Sequence, residues 1–393
     1  MVTSFPSKTP ELLLKNMEGE LYRPDEGRYL GCFDDDGTLL GSILMMDFTL
    51  NVRGVMTPMG AAAYVSTNFL RKKEHVARTL LEVLMRYYAR SGAPISCLHP
   101  FNPAFYHKMG YGFCNENTLY APKPCYIRSF GDKSGLCYAQ ADDREAVLAY
   151  YRRWVERTHG ATLHHYMDPH RIFDMPYVVL CRREGRITGY FTFEFVEVDH
   201  YTDCYHDLLV REMVYDDLDT LKQFMTFFAS QGDQIERVRF LSPDPDLHML
   251  FLNPDTGENR AHDGCIQEIG RRTMGYMCRI LDVAAYFRSQ PHCSAPAARD
   301  FVLELQVEDG FLKDNTGSYF LRVSGDRVEP AGSTAPQVTL RTDIAALSSL
   351  VMGAYSLDKA VARGVMDISD PSFLPDVQNA IGWHGKPVNY TYF

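Results

Sequence analysis

Arg71, Lys72 and Lys73 stand in a row just ahead of a helical run, with His75 and Arg78 close behind. A helix start exposes unpaired N–H groups and the positive end of the helix dipole, and three cations there suit a polyphosphate. The same residues also describe a surface amphipathic helix with a solvated basic start, and on this cluster alone both readings stand. A second group follows: LHPFNP from Leu98 to Pro103, then AFYHKM from Ala104 to Met109, then the turn Gly110-Tyr111-Gly112. The third group is the chain end, PVNYTYF from Pro387 to Phe393, an aromatic segment finishing on a carboxylate. Chain ends are mostly frayed and polar. This one is expected to dock, either as the last strand of the third domain's sheet or into a site.

The elements that hold these groups are readable from periodicity. Ala61 to Val65 is a short apolar run that reads as a strand. Apolar residues then recur at helical spacing at Val76, Leu80, Val83, Leu84, Tyr87 and Tyr88, and Arg90-Ser91-Gly92 closes that helix with a basic turn and a glycine. Ile95 to Leu98 is the next strand, Ala104 to Met109 is about one helical turn, and Phe113 returns to a strand. The order is therefore strand, basic turn, helix, strand, aromatic turn.

That order resembles the acyl-CoA site of the GNAT N-acetyltransferases, and PFNPAFYHKMGYG is similar to the Eis-type (enhanced intracellular survival) branch of that family. The resemblance implies acetyl-CoA as co-substrate, with its pyrophosphate at Arg71 to Ala77 (through Lys72, Lys73, Glu74, His75 and Val76). It places the pantetheine arm along Tyr64, Val65 and Ser66, with Phe101 and Asn102 lining the site. It makes Tyr106 the general acid for the leaving thiolate and the terminal carboxylate of Phe393 the general base for the amine. A phenol with a reference pKa of about 10 suits the first role, and an α-carboxyl at about 3.3–3.7 is a weak base unless burial raises it. The loop departs from the family's Arg/Gln-x-x-Gly-x-Gly/Ala: Glu74 and Val76 take the glycine positions, which implies weakened coenzyme A binding. Tyr392 stands where family members often carry an acid, which implies less preference for highly charged acceptors. His99 and His107 flank the proposed site as alternative bases or coenzyme contacts, and Asp47 ends a strand near it, more simply as a turn or cap residue.

Composition fits a large protein with full cores: 393 residues, 46% hydrophobic and 12% aromatic, with a net charge of −10. That charge argues against nucleic acid and mildly favours a cationic amine. No apolar run approaches the roughly 20 residues that a membrane span requires, and the start of the chain lacks a signal-peptide apolar segment. The ten cysteines show no CxxC pair or zinc spacing, so free thiols in a reducing cytoplasm and no metal are expected. His164, His165 and His170 do not have metal-site spacing.

Three domains are expected: 1–128, 129–281 and 282–393. The first opens on a hairpin, Tyr29–Phe33 and Leu39–Met46 around Asp34 to Gly37. The 28 residues before Tyr29 are short for the family's first strand and two helices, which implies an acceptor pocket that is unusually open or completed by another segment. The second domain repeats the order: a helix at Asp142–Thr158, a hairpin at Tyr177–Val198, a strand at Leu208–Val214, a helix at Leu218–Gln231 and a strand at Ile235–Leu241. Where the first has three cations, the second has Asp216, Asp217 and Asp219, which repel phosphate, so this domain is read as a GNAT-like fold without a coenzyme site. The third shows strands at Phe301–Val307, Gly317–Val323 and Gln337–Leu340, a helix capped at Thr342, and helical stretches at Ser356–Arg363 and Pro371–Ala380. It resembles the sterol-carrier-like domain that ends Eis-type chains, in a structural role without bound lipid. The expected class is thus mixed α/β and α+β, tandem GNAT acyltransferase folds followed by a sterol-carrier-protein-like domain. The function implied is N-acetyl transfer to a small amine or lysine side chain by a homo-oligomer, a hexamer by resemblance. The other reading is a non-catalytic acyl-CoA-binding scaffold of the same fold.

Overall fold

Asp34 to Gly37 reverse the chain as their types require. Gly37 takes φ +83°, a conformation that costs glycine little, and Asp34 accepts its N–H. In the computed structural model, which describes residues 27–198, 206–258, 266–332 and 334–393, this turn joins β1 (Arg28–Phe33) to β2 (Leu39–Val52) in antiparallel register. The segment expected to wall the acceptor pocket lies in 1–26, outside the described residues. The chain divides into two units: Met1–Asn115, Gly275–Pro387 and Tyr392–Phe393 form one, and Glu116–Met274 with Val388–Thr391 the other.

The first unit continues with β3 (Val55–Thr67), α1 (Val76–Arg90), β4 (Ile95–Leu98), α2 (Pro103–His107) and β5 (Gly112–Phe113). Helix α1 buries Val76, Leu80, Leu81, Leu84, Met85 and Tyr88 against the sheet, and Gly92 at φ +84° follows its end. Two residues of the expected stripe, Val83 and Tyr87, face solvent instead; Leu81 and Met85 take the inner face. A crossover helix is what allows β3 and β4 to run parallel.

The second unit holds β6 (Glu116–Tyr120), β7 (Leu136–Tyr138), α3 (Arg144–Arg157), β8 (Thr162–Leu163), α4 (Met167–Phe173), β9 (Tyr177–Arg183), β10 (Arg186–Glu197), β11 (His206–Tyr215), α5 (Leu218–Ala229), β12 (Ile235–Ser242) and β13 (Arg271–Met274). Its sheet has the order β13-β6-β12-β11-β10-β9-β7, and β11 and β12 are parallel across α5. Asp142 and Asp143 lie in a short 3-10 turn, and the α-helix proper begins at Arg144. Phe191, Phe224, Phe228 and Phe240 are buried together beneath this sheet.

The chain then returns to the first unit with β14 (Met277–Ile280), which pairs with both β4 and β5, so the first sheet reads β1-β2-β3-β4-β14-β5. After α6 (Val283–Ser289) come β15 (Phe301–Glu308), β16 (Gly317–Ser324), β17 (Arg327–Pro330), β18 (Val338–Asp343), α7 (Ile344–Val351), α8 (Leu357–Ala362), β19 (Asp367–Ile368) and α9 (Leu374–Ile381). A further sheet runs β17-β16-β15-β18-β19. Helix α7 is capped by Asp343, whose carboxylate accepts from the Ala346 N–H, and not by Thr342, which stands one residue ahead of the cap position and turns its hydroxyl to the Asp343 carbonyl. The tail from Pro387 to Phe393 is not a strand. It lies outside the β17–β19 sheet and is held by the backbone and side-chain bonds described below.

Candidate active site

The first sheet opens where the ladder between β3 and β4 ends. Pairing runs from Met59↔Ile95 to Ala62↔Leu98, and β3 continues to Thr67. Beyond the ladder Tyr64 takes φ +48°, and the β2–β3 register slips between Ser42 and Leu44, so the strand bulges at Tyr64 and Val65. Ser66 is pinned by its hydroxyl to the Ser42 hydroxyl at 2.9 Å. A bulge beside an open ladder is a place where an extended ligand can lie against strand backbone.

A few residues on, the loop before α1 turns on left-handed residues that are not glycine. Lys73 and His75 both have positive φ, 72° and 63°, and flank Glu74. Alternation of this kind turns successive N–H groups towards one point. His75 is the N-cap and contributes no side-chain cap to the first turn of α1. The side chains are arranged differently from the expectation. Arg71 is clamped by two carboxylates, Asp34 at 2.7 Å and Glu74 at 2.7 Å, and these hydrogen bonds raise its pKa further above its ordinary range. Lys72 lies over the Phe69 ring at 3.5 Å. Glu74 is thus turned onto Arg71.

On the other side of the opening, β4 leads through His99 and Pro100 into α2. Asn102 caps α2 by accepting from the Phe105 N–H at 3.3 Å, so its amide oxygen is committed. Phe101 is 75% exposed, and its ring stands edge-on to Tyr106 at 5.8 Å. Tyr106 is 2% exposed, between Phe101, Phe105 and Tyr111. Burial pushes its pKa well above the usual phenol value, so the hydroxyl stays protonated. His107 points its Nδ1 at the Tyr111 carbonyl, 3.2 Å away, and serves the turn.

The tail ends here. The Phe393 ring packs on Phe48 and His99 with centroids 4.9 Å apart in each case, and Tyr392 meets His99 at the same distance. Asp47 instead takes Arg28 at 2.9 Å and the Tyr88 hydroxyl at 2.9 Å. No group of His, Cys, Asp or Glu among the described residues is arranged to hold a metal.

Sequence reasoning missed the support behind Tyr106. Arg279 on β14 is fully buried, donates to the Met109 carbonyl and pairs with Asp309. Asp309 is itself held by the Phe311 and Leu312 N–H groups and by Asn315. A Cβ at Gly110, whose φ is +81°, would run into the guanidinium. The turn after α2 is thus fixed by a charge pair from further along the chain, and removing one partner of such a pair costs about 3–5 kcal/mol. An arginine inside the apolar run YMCRIL was the available signal.

Residues 2–114 match the acetyltransferase (GNAT) domain family, residues 150–280 match a second acetyltransferase (GNAT) domain family, and residues 284–390 match the sterol carrier protein domain. The chain carries tandem GNAT acetyltransferase domains followed by a sterol carrier protein domain. The co-substrate of such domains is acetyl-CoA. No characterised protein sequence matches the chain. The whole fold recurs in solved structures. A GCN5-related N-acetyltransferase from Anabaena variabilis is 18% identical (99% of this chain, 94% of that one, TM-score 0.80). Eis1 from Mycobacterium abscessus is 20% identical (93% and 91%, TM-score 0.73). A conserved protein from Enterococcus faecalis V583 is 17% identical (100% and 95%, TM-score 0.82). At these identities the likeness is one of fold. The GNAT chain has no helix among its described residues long and apolar enough to cross a membrane.

Proposed function

We propose that the first GNAT domain is an N-acetyltransferase of Eis type, acting on a small amine or a lysine side chain in a cytoplasmic homo-oligomer. The observation that carries this reading is the seating of Phe393 against His99, at the mouth of the loop that leads to Tyr106. In this reading the terminal carboxylate and the protonated Tyr106 phenol come from two parts of one unit.

In this reading Lys72, Lys73 and the amides from Lys73 to Ala77 hold a pyrophosphate, and the β3 backbone at Val65 and Ser66, set by the Tyr64 bulge, orients the pantetheine arm and polarises the thioester carbonyl. The amine nitrogen forms its bond to the acyl carbon as the Phe393 carboxylate takes its proton, directly or through water. The carbon–sulfur bond then breaks, and Tyr106 gives its proton to the departing thiolate. The chemistry is placed in the first GNAT domain, whose sheet takes in β14 and does not include β6.

One observation favours a second reading, a coenzyme-binding scaffold without turnover: Arg71 is held by Asp34 and Glu74. Thiol release from acetyl-CoA with a panel of primary amines separates the two. Turnover that depends on the amine is expected. Coenzyme binding with no turnover on any amine would leave the scaffold.

A further inference from the structure

The second GNAT domain has the same opening in its sheet as the first, and a side chain of this chain's own tail bonds to the strand there. The β11–β12 ladder ends at Val210↔Phe240 and β11 runs on to Tyr215, as the β3–β4 ladder ends at Ala62↔Leu98 and β3 runs on to Thr67. Met213 stands as far beyond Val210 as Val65 stands beyond Ala62. The Tyr390 hydroxyl donates to the Met213 carbonyl at 2.9 Å. Beside it the Val388 N–H donates to the His159 carbonyl at 2.9 Å, and the Thr162 hydroxyl donates to Asn389 Oδ1 at 3.1 Å. The Asn389 amide turns back to the Thr391 carbonyl at 3.0 Å, and the Tyr390 ring packs on Trp154. Asn389 and Thr391 are 3% and 1% exposed.

We propose that this cleft is a dock for the tail. Residues 388–391 occupy the place along β11 that corresponds to the pantetheine-binding stretch of β3, and the docking positions Tyr392 and Phe393, the next two residues. Three features fit this purpose and do not fit a coenzyme site. The tail supplies both a backbone donor and a side-chain donor to the domain. The hydroxyl of Tyr390 is kept protonated by burial, with Tyr215, Asp244 and Tyr190 nearby, and so remains a donor. The helix start beside β11 is already capped, by Asp217 on the Thr220 N–H at 2.9 Å. Tyr390, Asn389 and Thr162 are thus positioning residues. The value of positioning Phe393 rests on the function proposed above; the docking itself does not.

The test is Tyr390→Phe in the full chain, which keeps the ring and removes the bond to Met213. Hydrogen exchange of the segment from Lys386 to Phe393 is expected to quicken about tenfold, the loss of one buried hydrogen bond. In the amine-dependent assay kcat is expected to fall by a similar factor while KM for acetyl-CoA stays put. Thr162→Val, which removes the bond to Asn389, is expected to give the same faster exchange. Tail exchange unchanged in both variants overturns the docking. Faster exchange without a change in kcat overturns the positioning role. A wild type that never turns over sinks the enzyme reading alone, because exchange reports the docking without turnover.

Discussion

The two GNAT domains begin their crossover helices in opposite ways. Before α1 stand Lys72 and Lys73, an uncapped helix start and a backbone with two left-handed residues. Before α5 stand Asp216 and Asp217, with Asp219 in its first turn. Asp217 caps the helix, Asp217 and Asp219 pair with Arg183, and Asp216 takes Arg157 and the Tyr150 hydroxyl. The short helices that follow the next strand differ too: α2 carries Tyr106, while the turn Leu247–Leu250 after β12 carries no tyrosine. Topology is shared and the chemistry is not, which is the expected state of affairs when function resides in side chains placed on a common frame. In the second domain every charge at the helix start is spent inside the fold. In the first, Arg71 is spent on Asp34 and Glu74 and Lys72 lies over Phe69, but no side chain caps the helix start.

The sharpest way to break this contrast is Tyr106→Phe. Loss of a positioned general acid is expected to lower kcat about 100-fold or more, with coenzyme affinity unchanged, as read by thiol release and calorimetry. Because burial holds the Tyr106 pKa well above the usual phenol value, no alkaline loss of activity below about pH 10 is expected from this group.

The next effect belongs to the second domain. Burial raises the pKa of Asp168 from 3.8 to about 6, against the opposing pull of Arg171. The folded chain therefore holds this proton to a higher pH than the unfolded chain does. Stability from this group is present at low pH and is lost as pH rises through about 6, by up to about 3 kcal/mol. Asp168→Asn is expected to flatten that part of the stability–pH profile, followed by unfolding between pH 4 and 7.5. An unchanged slope would refute it.

Smaller effects probe the loop. Glu74→Gln removes a carboxylate from the phosphate approach and half of the clamp on Arg71, and is expected to tighten coenzyme A binding about threefold to tenfold at low salt. No change would mean that Arg71 never reaches the ligand. His75→Gly relieves a left-handed side chain at φ 63° and is expected to stabilise the protein by about 1 kcal/mol, read as a rise in Tm.

Much of the fold was legible because periodicity and caps are local. The bounds of α1, β4, β9 and β12 follow from runs such as VARTLLEVLMRYYAR and ISCL, and the tandem order follows from their repetition. What periodicity does not encode is the sheet that a strand joins. Thus β6 pairs with β12 in the second sheet, while β14, which follows the second domain in the sequence, completes the first. The positive run at Arg71 was visible, but its neutralisation by Asp34 was not, since the two are brought together only by the β1–β2 hairpin and β3. The tail showed that it must dock but not where, because its bonds to Met213, His159 and Thr162 depend on tertiary structure. Arg279 and Asp309 were missed for the same reason.

The most direct measurement is calorimetric titration of coenzyme A into the full chain and into a Lys72→Glu, Lys73→Glu variant. One coenzyme per chain, lost or weakened by more than tenfold in the variant, is the expected result. Two per chain, or full affinity in the variant, would contradict the assignment of the first domain as the sole acetyl-CoA site.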